Sequence, residues 1–82
     1  MNKEFVLLHL KEAFEELQMT IQEIEAEEEY GFGEFSVAMQ HLYQHINTAW
    51  NIHDIAPDRV SKCNEEDFYT WRQYPKNLDM SV

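Results

Sequence analysis

The sequence predicts an all-α fold: a long antiparallel helical hairpin, followed by a short third helix and an aromatic C-terminal tail. Two observations lead to this prediction. Apolar residues recur at helical spacing over two long stretches, and the two glycines of the chain, Gly31 and Gly33, lie between those stretches. So short a connection makes the two helices antiparallel neighbours. With 82 residues, the whole chain is assigned to one small helical domain, 1–82.

The first predicted helix covers residues 3–30 and begins after Asn2, a residue type that is favoured at the N-cap. Its apolar residues step by three and four positions in a heptad-like row, and much of the opposite side is charged. This apolar row consists of Leu7, Leu10, Phe14, Leu17, Ile21 and Ile24. Gly31 is expected to end the helix in the left-handed conformation, which glycine adopts readily.

The second predicted helix covers residues 34–54 and is uncharged along its length, since no Asp, Glu, Lys or Arg occurs between Glu34 and Asp54. At about 100° per residue, its side chains sort into a broad apolar face and an opposite polar stripe. The polar stripe consists of Gln40, Gln44, Asn47 and Asn51. We expect the stripe to face solvent or to form hydrogen bonds across a dimer; the alternative is a polar pocket for a small ligand.

The third predicted helix covers residues 64–73, where Asn64 and Asp67 have the spacing of a capping box. Two aromatic side chains of this helix, Phe68 and Trp71, together with Tyr74 in the tail, are of the types that anchor interfaces. We expect these tail anchors to pack in the protein's own core, and docking on a partner is the alternative.

Self-association is predicted because two helices by themselves bury only a line of contact. We expect the neighbouring helix to cover one part of the apolar side chains and a second copy of the chain to cover the rest. Two hairpins would then form a homodimeric four-helix bundle. The predicted interface residues are Leu10, Phe14, Leu17, Ile21, Leu42, Ile46 and Trp50.

A possible metal site is indicated by Glu34, His41 and His45, which share one stripe of the second helix. His41 and His45 are one turn apart and can bind one ion from a single helix face, and a glutamate of the first helix, such as Glu12, Glu16 or Glu23, can complete the site. Histidines in such positions more often form hydrogen bonds at an interface. No cofactor is therefore predicted, and a transition metal is the alternative. His9 lies off the apolar row and is assigned no role.

The formal net charge of −10, with only six Lys and Arg, argues against nucleic acid and anionic membrane surfaces as partners. A single cysteine, Cys63, excludes an intramolecular disulfide. The N-terminus lacks the pattern of a signal peptide, and no apolar run is long enough to span a membrane, so we expect a cytoplasmic protein.

No catalytic activity is expected. Cys63 has no partner motif, and Ser36 and Thr48 lack the Gly-rich elbow or flanking base of a catalytic hydroxyl. The predicted function is a small acidic helical protein-interaction or adaptor module that forms a homodimer. One alternative is an acidic inhibitor of a basic partner, such as an immunity protein, an antitoxin or a nucleic-acid mimic. The second alternative is a metal-binding helical bundle that uses the Glu34, His41 and His45 stripe.

Overall fold

The hairpin is formed by two long helices that pack side by side, and two short helices follow it. In the computed structural model, which describes residues 1–81, helix α1 spans Lys3–Ala26 and α2 spans Phe32–Asn51. Helix α3 spans Pro57–Ser61 and α4 spans Glu65–Trp71. No strand occurs in this described part, so the predicted all-α hairpin with a short C-terminal helix is confirmed. Neither long helix has the length and apolar content needed to cross a bilayer within these residues.

The connection between the long helices differs from the prediction. Helix α1 ends at Ala26, before the acidic residues 27–29, whose charges oppose the helix dipole at this end. Gly31 is extended, with φ −128° and ψ −172°, so the prediction that it ends α1 in the left-handed conformation is wrong. It is instead the N-cap of α2, and its backbone N–H donates to Glu34 Oε2 over 3.0 Å. Glu34 thus stabilises the start of α2.

The N-terminus of α1 is joined to the end of α2 through one buried asparagine. Asn2 is 5% exposed, and its Oδ1 accepts a hydrogen bond from the Phe5 backbone N–H at 3.2 Å, which confirms the predicted N-cap. Its Nδ2 donates to the Ile55 carbonyl at 3.0 Å, and its backbone N–H donates to the His53 carbonyl at 2.7 Å. Ile52, which directly precedes His53 in the chain, is fully buried at 0% exposure.

Helices α3 and α4 are held together by local caps and by one arginine. Asn64 caps α4: the Asp67 backbone N–H donates to Asn64 Oδ1 at 2.8 Å, and Asp67 Oδ2 accepts from the Asn64 N–H at 3.2 Å. The predicted capping box is therefore confirmed. Arg59 of α3 forms an ion pair with Asp67 at 2.7 Å, and its guanidinium lies 5.4 Å from the centre of the Trp71 ring.

The contact line between α1 and α2 is made of small side chains. The buried residues of the two helices are Ala13, Thr20, Ala38 and Ala49. The large apolar side chains that periodicity singled out lie beside this line, and many of them remain exposed. Among the described residues, Ile52 is the one large side chain that is less than 2% exposed. A single chain consequently has a thin core for its size.

Candidate functional site

One side of the hairpin is an apolar face formed by two parallel rows. On each helix, the apolar row is rotated by about 100° around the helix axis from the buried residues that contact the other helix. Because the helices are antiparallel, both rotations lead to the same side of the hairpin. Ile24 and Phe35 accordingly line a common groove. We define the apolar face as Leu7, Leu10, Phe14, Leu17, Ile21 and Ile24 of α1 with Phe35, Met39, Leu42, Ile46 and Trp50 of α2.

The apolar face is largely uncovered in the single chain. The six side chains from α1 are each 43–63% exposed, with Phe14 the most exposed, and Phe35 and Ile46 of α2 are 42% and 44% exposed. Leu42 and Trp50 are half-buried. The predicted interface residues therefore share one side of the hairpin, and that side is open.

We call the opposite side of the hairpin the polar side: it carries carboxylate–histidine pairs, together with the exposed side chains of Met19 and Val37. His45 Nε2 lies 3.2 Å from Glu12 Oε2, and His41 Nδ1 lies 3.9 Å from Glu16 Oε2. Each pair joins α2 to α1, and successive turns of the two helices supply the successive pairs. The order of these pairs follows from the antiparallel packing of the two helices.

The imidazole of His9 lies next to the pair formed by His45 and Glu12. His9 Nδ1 lies 3.2 Å from His45 Nδ1, and the two rings are tilted by 36°. Burial, together with the nearby His45, holds the pKa of His9 below its usual value, although Glu12 acts in the opposite direction. A ligand atom of His9, one of Glu12 and one of His45 all lie within 4.8 Å of one another, and no other such group occurs in residues 1–81.

The predicted stripe of Glu34, His41 and His45 is divided among three separate interactions. Glu34 caps α2, and hydrogen bonds from its own backbone N–H and that of Gly31 lower the pKa of its carboxyl group. His41 pairs with Glu16, and His45 joins His9 and Glu12. His9, which sequence reasoning left without a role, is thus the residue that it missed. The His-x-x-Glu spacing at residues 9–12 could have indicated that His9 and Glu12 lie together, since residues three apart are neighbours on a helix surface.

The polar stripe of α2 binds the C-terminal segment of the same chain. Asn51 Nδ2 donates to the Trp71 carbonyl at 2.6 Å and to the Gln73 carbonyl at 2.9 Å. Asn47 Nδ2 donates to the Arg72 carbonyl at 3.0 Å. The two asparagines therefore satisfy carbonyl groups at the end of α4 that no intrahelical donor reaches. Gln40, about two turns before Asn47, donates to Ser36 Oγ, and Gln44 lines the groove beside the tail.

The tail anchors are only partly covered by this docking. Phe68 and Tyr74 are 53% and 56% exposed, while Trp71 is half-buried. The guanidinium of Arg72 lies 4.5 Å from the centre of the Phe68 ring. Trp50 Nε1 donates to Asn77 Oδ1 at 3.0 Å, which adds a further contact between α2 and the tail. The tail thus packs on its own chain and leaves aromatic surface exposed.

Replacing Asn51 with alanine is expected to release the tail. Two carbonyl groups lose their donor, and because they are partly exposed, water replaces it at a net loss of about 1–2 kcal/mol. Hydrogen exchange of the α4 backbone amides should accelerate about tenfold, while exchange in the middle of α1 stays unchanged. The matched control is Gln40→Ala on the same stripe, which removes one exposed hydrogen bond and should change stability by less than about 0.5 kcal/mol. Equal exchange rates in the two variants would contradict the assigned role of Asn51.

Comparison of the chain with protein-family profiles, with curated proteins and with solved structures finds no match.

Proposed function

We propose that the chain is a small acidic interaction module of the cytoplasm that pairs with a second copy through the apolar face and has no reaction of its own. One observation carries this proposal: a single chain exposes much more surface than its mass requires. Its accessible surface is 6,395 Å², whereas a folded monomer of its mass is expected to expose about 5,200 Å². Its radius of gyration is 14.5 Å, against about 12 Å for a compact domain of this length.

The extent of the apolar face matches what a stable dimer buries. Eight side chains of the face that are 42–63% exposed leave roughly 700 Å² uncovered, at about 90 Å² each. This area is larger than the apolar patch of a typical monomer, which measures about 300–600 Å². It is close to the roughly 800 Å² that each partner contributes to an interface of standard size. The apolar face is therefore large enough to serve as an interface between two copies.

The charge distribution favours a second copy as the occupant. The two rows contain no charged residue, so pairing them removes no charge from water. The carboxylates that face α2, such as Glu12 and Glu16, lie on the other side of the hairpin, where repulsion between two acidic copies is weakest. The heptad-like spacing of the α1 row is the spacing that helices in bundles use. Two hairpins related by a two-fold axis would bring four such rows together.

The test is the mass of the untagged protein purified from its own host, measured by native mass spectrometry and by sedimentation equilibrium. A species of twice 9.9 kDa that dissociates on dilution is expected. A monomer at all concentrations up to about 100 µM would overturn the proposal, because an interface of this size is expected to hold below that concentration.

An acidic inhibitor of a basic protein is the second candidate, and one feature of the hairpin tip favours it. Carboxylates surround the Tyr30 side chain, whose buried hydroxyl group has no hydrogen-bond partner among the described residues. Burial and the neighbouring Glu23 raise the pKa of Tyr30. The residues that line this pocket are Glu23, Glu27, Glu29, Tyr30 and Glu34. A lysine or arginine of a partner would find both charge and a hydrogen-bond acceptor here.

The same mass measurement separates the two candidates. A monomer in equimolar complex with a basic protein, which re-forms from the purified components and dissociates at high salt, would favour the inhibitor. A homodimer without such a partner would favour the self-associating module.

A further inference from the structure

Three side chains on the seam of the hairpin have the arrangement of a metal-ion site that is independent of the apolar face. His9 and Glu12 are three residues apart on α1, and His45 faces them from α2. From this geometry we propose that His9, Glu12 and His45 bind a divalent transition-metal ion, with Zn²⁺ as the best fit. The ion would link α1 to α2.

The distance between the two imidazoles suits a tetrahedral ion. With Zn–N bonds of about 2.0–2.1 Å, adjacent ligand atoms of a tetrahedron lie about 3.3 Å apart. The Nδ1 atoms of His9 and His45 are 3.2 Å apart, which matches this separation. Two histidines and one glutamate, with a fourth position left to water, are a ligand set that zinc uses in proteins.

The third ligand is able to reach the ion. The Glu12 side chain is 45% exposed, and its carboxylate is now 3.2 Å from Nε2 of His45, on the far edge of that ring. An exposed glutamate changes rotamer freely, so it can turn towards the Nδ1 side when an ion is present. The site opens on the polar side of the hairpin, and pairing through the apolar face leaves it accessible.

Metal binding requires each imidazole to be neutral, with one ring nitrogen free to act as a ligand. Without an ion, one ring must donate an N–H to the other across the 3.2 Å contact, and the same atoms then form a simple hydrogen bond. Metal binding would therefore require the donating ring to move that proton from Nδ1 to Nε2. It would add a cross-link where the buried side chains of the two helices are small.

Calorimetric titration of the metal-free protein with Zn²⁺ tests the proposal, and the absorption spectrum with Co²⁺ reports the coordination geometry. One ion per chain is expected, with a tetrahedral Co²⁺ spectrum and a rise in the thermal midpoint. His45→Gln and His9→Gln should each weaken binding by at least about 100-fold, because loss of a direct ligand exceeds the 10–100-fold effect of an outer-shell partner. Glu12→Gln keeps the side-chain shape and should also weaken binding, which provides a test should a histidine variant unfold.

The matched control is His41→Gln, on the same helix one turn from His45. His41 is 55% exposed at its side chain and pairs with Glu16, so its replacement should leave Zn²⁺ affinity unchanged. Absence of Zn²⁺ binding by the wild type, or equal weakening in the His41 and His45 variants, would overturn the proposed site. Sedimentation of the same samples separates this outcome from a failure of the dimer, since the ligands lie outside the apolar face.

Discussion

Replacing Phe14 with glutamate is expected to convert the proposed dimer into a monomer and to leave the hairpin folded. Phe14 is 63% exposed in the single chain, so its removal takes little from the fold of one copy. In a two-fold dimer the substitution buries two carboxylates in an uncharged interface, at a cost of several kcal/mol for each charge. The dissociation constant should rise by at least about 1,000-fold, as measured by sedimentation equilibrium.

A matched control lies on the same helix. Met19 is 54% exposed, but it faces the polar side, where it lines a groove with Glu16 and His41. Met19→Glu therefore adds the same charge at similar exposure and should leave the dimer intact. Monomers from both variants would show that added charge alone disrupts association, and dimers from both would show that the apolar face is not the interface. Circular dichroism should show wild-type helix content in both variants.

Sequence reasoning succeeded where a structure depends on nearby residues. The N-caps at Asn2 and Asn64 were predictable because a cap needs only a side-chain acceptor and backbone donors two or three residues away. Gly31 was assigned the wrong conformation for a related reason. Glycine fits both helix ends, and the acidic residues before it had already ended α1 at Ala26.

The side of α1 that contacts α2 could not be predicted from periodicity. The large apolar side chains and the small ones at Ala13 and Thr20 lie on adjacent stripes of the helix, and packing of either stripe against α2 gives a plausible hairpin. Hydrophobicity alone favours the larger side chains. The alanines allow the helices to approach closely, and Glu12 and Glu16 then lie beside His45 and His41, while the large side chains remain at the side.

The cluster of His9, Glu12 and His45 depends on that same choice. A helical wheel places His45 on one stripe with His41, but only the pairing of α1 with α2 determines which of them meets His9. For the same reason, the polar stripe could be identified from sequence while its partner could not. Asn47 and Asn51 bind carbonyl groups that are 20 to 25 residues away, a separation at which no local pattern gives information.

Replacing Ile52 with alanine is expected to have the largest effect of any single substitution on the stability of one chain. Ile52 is 0% exposed and lies where the end of α2, the N-terminus and the start of α3 meet. Ile→Ala at such a site destabilises by about 2–5 kcal/mol through lost burial and the remaining cavity. For a chain of this length, about 3 kcal/mol lowers the thermal midpoint by roughly 12–24 °C.

The smaller substitution Ile52→Val tests whether lost packing causes the destabilisation. It removes one methylene group and should lower the free energy of unfolding by about 1 kcal/mol. Both variants must be compared at one protein concentration, because association makes the midpoint concentration-dependent. A loss of less than 1 kcal/mol in the alanine variant would contradict the assigned role of Ile52. The apolar face would remain available in the folded variant, so it should still form dimers at low temperature. Loss of stability with retained association would show that the junction around Ile52 holds the hairpin ends together and that the apolar face acts separately.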